Sequence, residues 1–197
     1  DVEIWHTIKD DDEFAGVCGL DGDLQGRVIG SGLPKGMIDA SALKIRNLYH
    51  VTGDMKEVFR TSVLREFPFP EVAGERFCPE ALVWNRIAQK YKLRYLNKII
   101  YTVDYQPSGI TSQIVRARMQ SPIASMMTYA EMTTFRDVLI RIRVRAAINY
   151  WRFGCCLTER HKREAASPIP SLAWYWKWVK PVGWAMHIVD TKKLKQK

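Results

Sequence analysis

The sequence predicts an α/β unit followed by a helical, basic appendage. Three observations predict it. Short helical and strand-like segments alternate through the first hundred residues. Past Pro107-Ser-Gly109 no strand pattern follows, and the periodicity turns helical. The charge also divides. Residues 141–197 carry thirteen Lys and Arg against three acids and hold five of the seven tryptophans, while the net charge of the whole chain is only +9. With 197 residues, 47% hydrophobic and 26% charged, the composition is that of a globular chain with a core.

In chain order, residues 1–13 read as a helix closing on the acidic run Asp10–Glu13. Phe14–Leu20 reads as a buried strand, Asp21–Gly26 as a glycine turn, and Arg27–Ile29 as a short returning strand. Gly30–Gly36 is a loop, with Asp39 and Ser41 placed to cap a helix over 41–48. Tyr49–Thr52 reads as a strand, and 59–66 as a helix ended by Pro68 and Pro70. Leu82, Val83, Ile87 and Ala88 recur at helical spacing over 80–90. Arg94–Asn97 and Ile99–Val103 read as two strands. Helices are expected over 119–131 and 135–153. The second is apolar on two sides, one stripe through Ala146, Tyr150 and Phe153 and another through Val144, Ala147 and Trp151, so it should pack on the body and meet something else as well. The expected division is an α/β unit over 1–113 and a tail over 114–197.

Cys18, Cys78, Cys155 and Cys156 show no C-x-x-C spacing and read as reduced thiols of a cytoplasmic protein. The four histidines are scattered, so no zinc site is expected. Ser171–Val189 is aromatic and apolar but interrupted by Lys177, Lys180 and Pro181. It suits an interfacial amphipathic segment on an anionic membrane surface better than a spanning helix. Basic charge with aromatics also fits nucleic acid, but no nucleic-acid motif accompanies it and none is expected as a partner.

Three stretches in order carry a resemblance: Gly53-Asp-Met-Lys-Glu-Val-Phe-Arg-Thr-Ser-Val-Leu64, Gly74-Glu-Arg-Phe-Cys-Pro-Glu-Ala-Leu-Val-Trp-Asn-Arg-Ile-Ala88, and Asn97-Lys-Ile-Ile-Tyr-Thr-Val-Asp-Tyr-Gln-Pro-Ser-Gly-Ile-Thr111. Together they resemble the carboxyl-terminal, acceptor-side half of family-2 nucleotide-sugar glycosyltransferases, the bacterial members that build surface polysaccharides such as capsule. The resemblance implies a GT-A (Rossmann-like) fold with a mixed sheet, here followed by amphipathic helices. It implies a transferase that moves a sugar from a nucleotide-diphosphate donor, UDP-linked by expectation, to a glycan or lipid-linked acceptor at the cytoplasmic face of the plasma membrane.

The family's catalytic base falls on Glu80, in Pro79-Glu80 where a Glu-Asp pair is common. Asp54, Lys56 and Arg60 fall on the acceptor side of the cleft, and Trp84 and Arg86 at or behind the acceptor pocket. Tyr105 and Thr111 fall on the loop over the donor diphosphate, which here lacks the usual His or Arg. The divalent cation (Mn²⁺ or Mg²⁺) and the D-x-D that holds it are expected upstream of Asp1, with the nucleotide-binding half. Asp10-Asp11-Asp12 and Asp21-Gly22-Asp23 imitate that motif, but the first ends a helix and the second sits in a turn. Without an upstream half or a partner chain, such a half domain would leave a sheet edge open. The alternative reading is a non-catalytic module that binds a membrane surface or a partner on a transferase scaffold.

Overall fold

A computed structural model describes residues 2–104, 109, 113–164 and 169–196. Two compact units are present, one of residues 1–68 with 83–105 and one of residues 69–82 with 106–197.

The first unit is built on a four-stranded mixed sheet in the order β2-β4-β1-β3, where β1 is Phe14–Gly22, β2 Met37–Ala40, β3 Met55–Phe59 and β4 Lys92–Thr102. β1 and β4 run parallel in the centre; β3 and β2 flank them antiparallel. The α/β class and a mixed sheet compatible with a Rossmann-like half therefore hold. All nine residues of β1 are buried, which is why its sequence reads as an unbroken apolar and glycine run. Four short helices accompany the sheet: α1 (Val2–His6), α2 (Ala42–Asn47), α3 (Thr61–Glu66) and the latter part of α4 (Glu80–Ile87). Leu20, Ile45, Met55, Val83, Ile87 and Leu93 are among the residues of its core. The two edge strands span four and five residues, short enough to offer little template for pairing.

Several expected boundaries move. The helix over 1–13 stops at His6 and gives way to tighter turns, Thr7 N donating to Ile4 O and Ile8 N to Trp5 O, while Asp11 Oδ1 accepts from Glu13 N and turns the acidic run. β2 forms between the expected loop and the helix capped by Ser41, and β3 on the approach to the helix expected over 59–66; strands this short carry too little alternation to be recognised. Tyr49–Thr52 is not a strand. His50 adopts φ 55°, and Arg46 Nη1 donates to the carbonyls of Val51 and Gly53. The two expected strands after α4 are one, since Asn97 N donates to Gly36 O across the expected break. Arg27–Ile29 contributes a single bridge, Gly22 to Val28. Ser41 caps α2 as expected, accepting from Lys44 N at 3.3 Å.

The second unit is helical: α5 (Ile114–Gln120), α6 (Pro122–Met132), α7 (Ile140–Gly154), α8 (Glu159–Glu164), a 3₁₀ turn (Trp174–Val179) and α9 (Lys180–Lys195). The expected helix over 119–131 is divided at Ser121, with Pro122 opening α6, where a missing N–H costs nothing. The helix expected from 135 begins at Ile140. Its two apolar stripes both find partners within this unit. Ala146, Tyr150 and Phe153 pack with Met126 and Tyr129 of α6, and Ala147, Val144 and Trp151 pack with Trp176 and Val179. Residues 69–82 belong here because Glu75 clamps the start of α6, Oε1 accepting from Ile123 N at 2.6 Å and Oε2 from Ala124 N at 2.9 Å. Phe77 N also donates to Ser121 Oγ at 3.1 Å.

Candidate functional site

Open α/β sheets place their ligands beyond the carboxyl ends of parallel strands. At that end of β1 stands Asp21. The register Leu20 to Met55 sets Asp21 opposite Asp54 on the β3 side, and Asp21 pairs with Tyr101 of β4. Lys56 Nζ reaches across β1 to 4.5 Å from the Tyr101 ring centroid. Asp21 is only 5% exposed, and its Oδ1 has no hydrogen-bond partner among the described residues. Burial pushes its carboxyl above the usual carboxylate range, the Asp54 charge adds to the shift, and Lys56 opposes it.

The backbone around this carboxylate is tightly set. Ile29 N donates to Asp21 O at 2.9 Å. Gly30 (φ 101°) and Gly53 (φ 90°) lie back to back. A Cβ on Gly30 would stand 2.1 Å from Thr52 O, and one on Gly53 2.1 Å from Ile29 O. Only glycine fits either position.

The Asp21-Gly22-Asp23 doublet divides between two environments. Asp21 does end a strand, contrary to the expectation that the whole doublet lies in a turn. Asp23 is spent on the turn itself. Its Oδ1 accepts from Gln25 N and Arg27 N, both at 2.9 Å, and its Oδ2 from Arg27 Nε at 2.7 Å. The Arg27 backbone bond, more than any other contact, holds the Asp23 carboxyl below its usual range. Among the described residues no group of three or more His, Cys, Asp or Glu is arranged to hold a metal ion.

The residues singled out from the sequence are distributed as follows. Asp54 is exposed, immediately before β3. Arg60 anchors the amino-terminal segment: its Nη2 donates to the carbonyls of Ile8 and Asp11, both at 2.8 Å, and its guanidinium stands 5.1 Å from the Trp5 ring. Trp84 is half-buried against Phe59, ring centroids 4.6 Å apart, at the margin of the sheet core. Arg86 is half-buried in the last turn of α4. These four lie in the first unit and Glu80 in the second. Glu80 is exposed and opens α4, directly after the buried Pro79. Glu75 is held by two amides of α6; burial pushes its carboxyl up and those amides draw it back. Tyr105 and Thr111 lie outside the described residues.

Sequence reasoning weighed Asp21 only as a metal ligand and missed it as a buried carboxylate whose Oδ1 has no partner among the described residues. The available signal was an acid directly continuing an apolar strand. The Lys56–Tyr101 contact had no sequence signal, since it depends on the register of three strands.

No family model, curated protein or solved structure matches the chain. Among the described residues no helix is long and apolar enough to cross a membrane.

Proposed function

We propose that this chain is the acceptor-side half of a family-2 nucleotide-sugar glycosyltransferase of the GT-A type, acting on a glycan or lipid-linked acceptor in surface-polysaccharide synthesis. The observation that carries the reading is a division of labour between two neighbouring acids. Glu75 is locked on the α6 amides, whereas Glu80, on which the family's base falls, presents an exposed carboxylate at the start of a helix. The ordered motifs and the mixed α/β sheet support the same reading.

In the reaction, Glu80 takes the proton of the acceptor hydroxyl as its oxygen bonds to the anomeric carbon of the donor sugar. The bond from that carbon to the diphosphate breaks, and the nucleoside diphosphate leaves with the electron pair. The resemblance implies inversion. The resemblance assigns Asp54, Lys56, Trp84 and Arg86 to the acceptor side. A divalent cation neutralises the leaving group in such enzymes. Among the described residues no group of three or more His, Cys, Asp or Glu is arranged to hold one, and Asp23 of the Asp21-Gly22-Asp23 doublet is bound by its turn. No step is therefore assigned to a metal held here.

The test is Glu80→Gln in the enzyme joined to its nucleotide-binding half, with UDP affinity as the control. Turnover should fall about 10²- to 10⁴-fold with UDP affinity unchanged. Near-normal turnover removes Glu80 as the base. A wild-type protein that binds membrane but transfers no sugar would favour a non-catalytic module on the same scaffold.

A further inference from the structure

We propose that the outer face of α9, with Trp174 and Trp178 of the 3₁₀ turn that runs into it, docks on the surface of an anionic lipid bilayer.

The packing of α9 is inverted relative to an ordinary surface helix. Its inward side holds Gly183, His187, Ile188, Asp190 and Thr191, with Ile188 the one large apolar residue among them. Gly183 is buried so closely on α7 that a Cβ would come 2.7 Å from Ile148 O and from Trp151 Cβ. Asp190 is clamped by Arg152 of α7, with Nε–Oδ2 at 2.5 Å and Nη2–Oδ1 at 2.8 Å. With glycine and an ion pair turned inward, the other apolar residues are turned out. Val182, Ala185, Met186 and Val189, spaced i, i+3, i+4 and i+7, form one exposed stripe. Val182 and Val189 are 47% and 49% exposed, Trp174 and Trp178 78% and 65%. A contiguous apolar face of this kind marks an interaction surface.

Charge selects the occupant. Lys192 and Lys193 continue the stripe on the next turn, and Lys177, Lys180 and Lys195 are also exposed. Asp190 is the sole acid from residue 171 to 196, and it faces Arg152. The outer surface therefore offers apolar side chains, indoles and cations with no acid among them. An anionic bilayer matches all three: acyl chains take the valines and methionine, the headgroup layer takes tryptophan, and lipid phosphates take lysine. A second copy of the same face would set lysines against lysines. At 16 residues α9 is about 24 Å long, short of a bilayer core and suited to lie along its surface. Docking would give the transferase reading a location but needs none of its chemistry, so vesicle binding and sugar transfer can fail separately.

The experiment is co-sedimentation of the full chain with phosphatidylcholine vesicles, with and without phosphatidylglycerol. Two variants accompany it: Val182→Ser with Met186→Ser and Val189→Ser, and Lys192→Glu with Lys193→Glu. Circular dichroism checks that helicity is kept, and if the serine variant loses it the lysine variant decides. Wild type should prefer the anionic vesicles and release as salt rises, and each folded variant should bind about tenfold more weakly or worse. Equal binding to both vesicles, variants that bind like wild type, or a wild type that ignores vesicles and forms a dimer abolished by the serine variant would each overturn the proposal.

Discussion

The sheet unit and the helical unit of this chain use hydrophobicity in opposite ways. In the sheet unit the most apolar segment is the most buried: β1 lies at the centre with every residue covered, and glycines let neighbouring backbones close in. In α9 of the helical unit, a glycine and an Arg–Asp pair take the inside while valine, methionine and tryptophan face outward. Hydrophobic pattern locates the interior only where nothing else competes for it. Against α7 a flat glycine and a two-bonded ion pair hold the helix close, and the larger side chains are left outside.

The largest expected effect lies in the sheet unit. Gly53→Ala places a Cβ at 2.1 Å from a carbonyl oxygen and at φ 90°. It should cost about 4 kcal/mol or prevent folding, read from urea unfolding or soluble yield. A variant near wild-type stability would mean that the Gly30–Gly53 approach is not what sets this turn.

Next comes the ion pair of the helical unit. The Arg152 and Asp190 side chains are 15% and 12% exposed, so Asp190→Asn leaves the guanidinium nearly buried without its counter-charge. A loss of about 3 kcal/mol is expected, with hydrogen exchange speeding first in α9. Unchanged protection of α9 would mean that Gly183 packing alone holds it, and the contrast between the units would weaken.

The smallest effect has the opposite sign. The native-state pKa of Asp21 is raised, so its ionised form disfavours the folded state above that pKa, and the penalty is relieved as pH falls through it toward the ordinary carboxylate value. Asp21→Asn should therefore stabilise by about 1 kcal/mol at neutral pH, with the gain fading in acid where the native residue is also neutral. Melting temperatures at neutral and acidic pH check this. Destabilisation at neutral pH that fades in acid would show that the ionised carboxylate has a role in holding the turn.

Much of the fold was legible. Phe14–Leu20 announced a buried strand because a strand covered on both faces needs no polar residue, and Ser41 announced a helix start through capping chemistry. β2 and β3 were not legible, because four or five residues carry too little alternation to outweigh their neighbours. Of the candidate site, the helix that Glu80 opens was legible from the spacing of Leu82, Val83 and Ile87. The commitment of Arg60 to the Ile8 and Asp11 carbonyls was not, because it joins residues about fifty positions apart.

What the sequence determined by itself is the α/β unit, the helical remainder and the concentration of cations and tryptophans in the last third, since composition, periodicity and capping act over a few neighbouring residues. Only the tertiary structure decided that Asp21 is buried without a partner for Oδ1, that Glu75 is locked while Glu80 is exposed, and that α9 turns its apolar side outward. Each depends on which distant backbone group or charge arrives at that position, and local pattern does not encode it.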